Sequence, residues 1–227
     1  MRMPRIARSV AVDYPHHVTQ RGNNRAVVFL DDEDRWFYFN ILKRYSDKYK
    51  LEIWAYCLMG NHVHLLVVPR EENSLARGIG LTNMIYTQHL NRRLSNSGRV
   101  WQNRFFSCAV EKDSYLWSVA RYIERNPVKA GILERAEDYP WSSARAHLFG
   151  YTDHLLSGET WLRDTERNEY GEFFKQDSEE VEKTIRQRTS NGRPLGGDKF
   201  VELLEHKSGY MLKLGKKGRP KKETAEK

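Results

Sequence analysis

Cysteine is nearly absent: among 227 residues only Cys57 and Cys108 occur, each inside an apolar, strand-like run. That scarcity argues against a disulfide framework or a cysteine-based zinc site, and predicts buried, reduced thiols in a cytosolic protein. Long hydrophobic stretches are also missing. No apolar run is long enough to cross a bilayer, and the basic start Met1-Arg2-Met3-Pro4-Arg5 has no apolar segment after it, so neither a membrane span nor a signal peptide is expected.

What is abundant is positive charge. Thirty-eight Lys and Arg stand against thirty Asp and Glu, giving a formal net charge of +8 and a pI near 9.4. Such a balance favours a polyanionic partner, nucleic acid before anionic membrane. Cytoplasmic, nucleoid-associated localisation follows as an expectation.

The stretch Leu58-Met59-Gly60-Asn61-His62-Val63-His64-Leu65-Leu66-Val67-Val68 reads as a turn followed by a strand. Side chains alternate along an extended backbone, so His62, His64 and Leu66 share one face and Val63, Leu65 and Val67 the other. Two imidazoles one strand step apart suit a shared metal ion, although surface or satisfied core histidines show the same spacing.

Around this stretch the periodicities alternate. His16 to Arg21 reads as a short strand closed by the Gly22-Asn23-Asn24 turn. Arg21, Asn23, Asn24 and Arg25 there form a polar loop suited to phosphates or base edges. Asp32 to about Lys48 is helical, Leu51 to Leu58 a strand, and Ser74 to about Leu94 helical. In Trp101-Gln102-Asn103-Arg104-Phe105-Phe106, Trp101 and Arg104 combine as surfaces that stack unpaired bases do; Trp101 as a core residue at a strand entry is the alternative. After a strand from Phe106 to Val110, Asp113 is the expected N-cap of a helix running towards Arg125, with Tyr122 and Asn126 one turn apart. Further helices are expected near Glu179 to Arg188 and Lys199 to Lys207. The terminal run Lys216 to Lys222, with Lys217, Arg219 and Lys221, resembles an AT-hook that enters a minor groove; a charged tail is the alternative.

His62-Val63-His64, Tyr122-Ile123-Glu124-Arg125-Asn126-Pro127-Val128-Lys129, Trp101 to Phe105 and Pro140-Trp141-Ser142-Ser143 together resemble the single-tyrosine HUH transposases, in particular the REP-associated tyrosine transposases. The similarity spans roughly residues 10 to 147. It implies an α+β, ferredoxin-like fold: an antiparallel sheet with helices on one face and the active site on the other, followed by a mostly helical, basic C-terminal extension. Residues 1–150 would be the catalytic domain and 151–227 the extension with its Gly-Arg-Pro tail.

The resemblance also assigns roles. Tyr122 would be the nucleophile, and His62, His64 and Asn126 would hold a divalent metal, Mg²⁺ or Mn²⁺. The implied activity is cleavage and transfer of single-stranded DNA at palindromic hairpins through a 5′-phosphotyrosine, with a monomer favoured over a dimer. A non-catalytic DNA-binding regulator is the alternative. Tyr86 lacks an Asn or Gln four residues on, which weakens it as a rival nucleophile.

Overall fold

The structure is a computed structural model, and it describes residues 10–157 and 161–209. Lys217, Arg219 and Lys221 lie outside the described residues.

Four strands, β1 (His16–Arg21), β2 (Leu51–Met59), β3 (His62–Pro69) and β4 (Phe106–Ala109), form one antiparallel sheet in the order β2-β3-β1-β4. Helices α1 (Asp32–Lys48) and α2 (Ser74–Arg93) make the two crossovers, so the chain runs β1-α1-β2-β3-α2-β4, the ferredoxin-like order. The expected α+β fold is therefore what the chain adopts. α1 starts where Asp31 accepts a hydrogen bond from the Asp34 backbone N–H, an N-cap that satisfies one of the helix's orphan donors.

The two helices pack together over one face of the sheet, around the buried aromatics Tyr38, Tyr86 and Phe29. Tyr86 is fully buried there and donates its hydroxyl to the Val28 carbonyl at 2.5 Å, so it is a structural residue. Trp101 belongs to the same cluster. Its indole N–H reaches the Asn83 carbonyl at 3.1 Å and only 7% of the residue is exposed, so of the two readings the core residue holds and the base-stacking surface is not available.

The other face is covered in part by α3 (Lys112–Glu124) and α7 (Glu179–Asn191). Being covered on both sides explains why β3 from Val63 to Val68 is buried throughout, rather than alternating. α3 begins two residues earlier than its sequence suggests: Glu111 is the N-cap and Asp113 lies in the first turn. Asp113 there still suits the positive end of the helix dipole, which is why its position mimics a cap.

Both edges of the sheet are also closed. Ser142 bridges Cys57 beside β2, while Leu195 accepts from the Glu111 N–H and donates to the Ala109 carbonyl beside β4. Closed edges offer no ladder for stray pairing. The short α4 (Asn126–Lys129) and α5 (Ala144–Phe149) lead to α6 (Arg167–Lys175), α7 and α8 (Asp198–Ser208). Leu155, Leu162, Tyr170, Phe174, Ile185 and Leu195 join the same apolar cluster as Val18 and Leu65.

Cys57 and Cys108 are both buried free thiols. Among the described residues, no helix is long and apolar enough to cross a membrane.

Candidate active site

Register decides what meets on the covered face. Arg21 lies opposite His62 and Thr19 opposite His64, so His17, Thr19 and Arg21 of β1 share a face with His62 and His64 of β3. Cys108 of β4 pairs with His17 and Cys57 of β2 with His64, completing that face.

Over this surface α3 lowers Tyr122. Its ring meets His17 and His64 edge-on, with centroids 5.6 and 5.5 Å away. The neighbours of Tyr122 in its motif point elsewhere and tie down the extension. Glu124, fully buried, accepts from Ser143 Oγ, Tyr170 Oη and His147 Nδ1. Arg121 and Arg125 donate to the last carbonyls of α6. The Tyr122 hydroxyl itself has no hydrogen-bond partner among the described residues.

A cleft of about 570 Å³ opens here, lined by His17, His62, His64, Tyr122 and Arg21, with α7 as its far wall. α7 contributes Lys183, Arg186, Gln187 and Thr189 to the lining. Arg21, Lys183 and Arg186 form no ion pair among the described residues, so three uncompensated cations face one cavity.

Burial sets the protonation states. It lowers His17 to about 3 and His62, with help from the Arg21 charge, to about 4. His64 is held well below the usual imidazole range, mainly by burial and then by His17, His62 and Arg21. All three rings are therefore neutral near pH 7. Burial also pushes the Tyr122 phenol up to about 12, against the opposing pull of Arg186 and Arg21.

His62 and His64 offer nitrogen donors of the kind a divalent cation takes, while among the described residues no group of three or more His, Cys, Asp and Glu gathers to hold one. His62 Nδ1 is held by Asn61 Oδ1 and His64 Nδ1 by His17 Nε2 at 3.0 Å, which leaves each Nε2 without a hydrogen-bond partner among the described residues. Asn126 turns its Nδ2 back onto the carbonyls of Tyr122 and Ile123, so its Oδ1 is the atom left to offer; it does not line the cleft.

The polar loop lies at the same end of the sheet. Asn23, Asn24 and Arg25 are exposed, and Gly22 pairs with Trp101 while its N–H reaches Asn61 O at 2.8 Å. A β-carbon at Gly22 would stand 2.3 Å from the Ala26 carbonyl oxygen, so the loop requires glycine there. Arg104 is also exposed. His17, Lys183, Arg186 and Thr189 carried no motif in the sequence. A second histidine at the right parity of β1 was the one signal available.

Against known proteins, residues 11–126 match the family model of the IS200-like transposases. A Haemophilus influenzae protein named as a REP-associated tyrosine transposase is 26% identical over 148 residues, covering 58% of this chain and 84% of that protein. A solved REP-associated tyrosine transposase bound to a REP hairpin shares the fold at a TM-score of 0.54 with 18% identity, over 71% of this chain and 96% of that chain.

Proposed function

This chain belongs to the IS200-like transposase family, and from that premise we propose that it cuts and rejoins single-stranded DNA at REP-like palindromic hairpins through a covalent link to Tyr122. One observation carries the reading: a tyrosine whose hydroxyl has no hydrogen-bond partner among the described residues lines the same cleft as two neutral histidines. The Haemophilus influenzae relative named as REP-associated, and the similarly folded transposase bound to a REP hairpin, support the choice of substrate.

In the proposed step the Tyr122 phenolic oxygen attacks phosphorus and the P–O3′ bond breaks. The products are a 5′-phosphotyrosine and a free 3′-hydroxyl, the phenol proton passing by way of water to the leaving O3′. Because the phosphoester bond energy is kept in the link, a second 3′-hydroxyl can reverse the step without ATP. Arg186 and Arg21 favour the phenolate that burial opposes. Together with Lys183 they also complement the phosphate charge in a partly dry cleft. A divalent ion, Mg²⁺ or Mn²⁺, held by His62 and His64 with Asn126 as third donor, would supply Lewis-acid polarisation of the scissile phosphate; two imidazoles suit Mn²⁺ better.

Asn23, Asn24, Arg25 and Arg104, exposed at the open end of the sheet, are proposed to contact the DNA beside the hairpin. The basic tail with Lys217, Arg219 and Lys221 is proposed to grip the duplex stem.

The test is a detergent-resistant adduct between the protein and labelled single-stranded hairpin DNA with Mn²⁺ or Mg²⁺. Tyr122→Phe should abolish it and Tyr86→Phe should retain it. Tight hairpin binding without an adduct under either metal would favour the non-catalytic regulator instead.

A further inference from the structure

The cleft contains a hydrogen-bonded chain whose far end, Thr189, lies beyond the family match, which stops at residue 126. Thr189 Oγ1 of α7 lies 2.7 Å from His17 Nδ1, and His17 Nε2 lies 3.0 Å from His64 Nδ1. The same hydroxyl contacts the Ile185 carbonyl at 2.8 Å and the Cys108 thiol at 3.3 Å. All of these groups are buried.

A threonine hydroxyl has one proton and two lone pairs. The Ile185 carbonyl can only accept. If the Thr189 proton goes to Ile185, His17 Nδ1–H and the Cys108 S–H can both donate to Oγ1, and every contact is a hydrogen bond. If that proton pointed to His17 instead, the two oxygens of Thr189 and Ile185 would face each other with no hydrogen between them. Only the first direction satisfies the whole cluster.

That direction propagates. With its proton on Nδ1, neutral His17 must accept at Nε2, so His64 must carry its own proton on Nδ1. The lone pair of His64 is then on Nε2. His62 reaches the same state by another route: Asn61 donates its amide to the Arg25 carbonyl at 3.2 Å, which points its oxygen at His62 Nδ1.

We infer that Thr189 and His17 are positioning residues that fix His64 as the Nδ1–H tautomer, so that the C-terminal extension prepares a metal ligand that lies 125 residues earlier in the chain. This rests on His64 being a metal ligand, as proposed above. It makes α7 part of the site rather than only its wall. A metal-bound imidazole whose second nitrogen is held by a partner binds more tightly, and losing that partner typically weakens the metal about tenfold to a hundredfold.

Two measurements test it on the full chain. Long-range ¹H–¹⁵N spectra of the metal-free protein should show His17, His62 and His64 all protonated at Nδ1; an Nε2–H signal for His64 overturns the inference. Mn²⁺ titration should then give wild-type affinity for Thr189→Ser and roughly tenfold or greater weakening for Thr189→Val, with His64→Ala losing most binding. Wild-type affinity in a folded Thr189→Val alongside a loss in His64→Ala would sink the positioning role and leave the metal site standing. Unchanged affinity in His64→Ala would remove the metal reading and the inference with it. Should Thr189→Val fail to fold, the tautomer of the unaltered chain still decides.

Discussion

His17, His62 and His64 are unusual at the level of the single residue because no carboxylate is hydrogen-bonded or ion-paired to them among the described residues. Burial then acts unopposed and drives them neutral, His17 to about 3 and His62 to about 4. In the unfolded chain the same rings titrate near the ordinary 6.5. Below that value the unfolded state binds protons that the native state refuses, so stability falls as pH drops from about 6.5 towards 3. The loss should be on the order of a few kcal/mol across the three rings. In metal-free protein the urea midpoint is expected to decline already between about pH 6.5 and 5.5, above the range where ordinary carboxylates protonate. A flat midpoint over that window would mean that the rings are charged or solvated in the native state.

At the level of the element, the helix α7 has a double role. Its buried side, Ile185 and Thr189, packs against β4 and α3, while Lys183 and Arg186 face the cleft. If those cations hold single-stranded DNA by its phosphates, Arg186→Ala should weaken binding and lower the slope of log K against log salt by about 0.7, one phosphate's share. A drop in affinity with an unchanged salt slope would assign Arg186 to packing or base contact instead.

The legibility of these elements in the sequence follows their periodicity. β1, α1, β2, β3 and α2 were readable because strand and helix spacing is local, and the described boundaries agree within a residue or two. The placement of α7 over His17 was not readable. That contact joins residues 172 positions apart, and nothing in the pattern of α7 distinguishes a wall of an active site from a solvated face. α6 escaped notice because its buried positions, Tyr170 and Phe174, make only one turn of stripe. Trp101 left two readings open for a different reason: an aromatic beside Arg104 has the same composition whether it stacks on a base or fills the core, and its burial and its hydrogen bond to Asn83 separate the two.

For the whole molecule, the question is whether residues 1–150 can stand without the extension. Tyr170 fills the site beside Glu124, Arg121 stacks 4.3 Å from the Phe173 ring, and Lys129 pairs with the buried Glu182. Ending the chain at Gly150 would therefore strip a partner from a buried carboxylate, release two arginines from the carbonyls of α6, and bare the faces of α3 and β4 that Ile185 and Leu195 cover. Uncovering even two or three large apolar contacts costs roughly 1.5–3 kcal/mol each, a large share of the about 5–15 kcal/mol that stabilises a typical domain. Leaving Glu124 short of donors adds about 1–3 kcal/mol. The truncated chain is expected to melt at a much lower temperature than the full chain, to bind a hydrophobic dye, and to lose Mn²⁺ affinity because Thr189 is gone. A cooperative melt within a few degrees of the full chain, with Mn²⁺ affinity intact, would show that the extension is an appendage and that the catalytic fold is complete at residue 150.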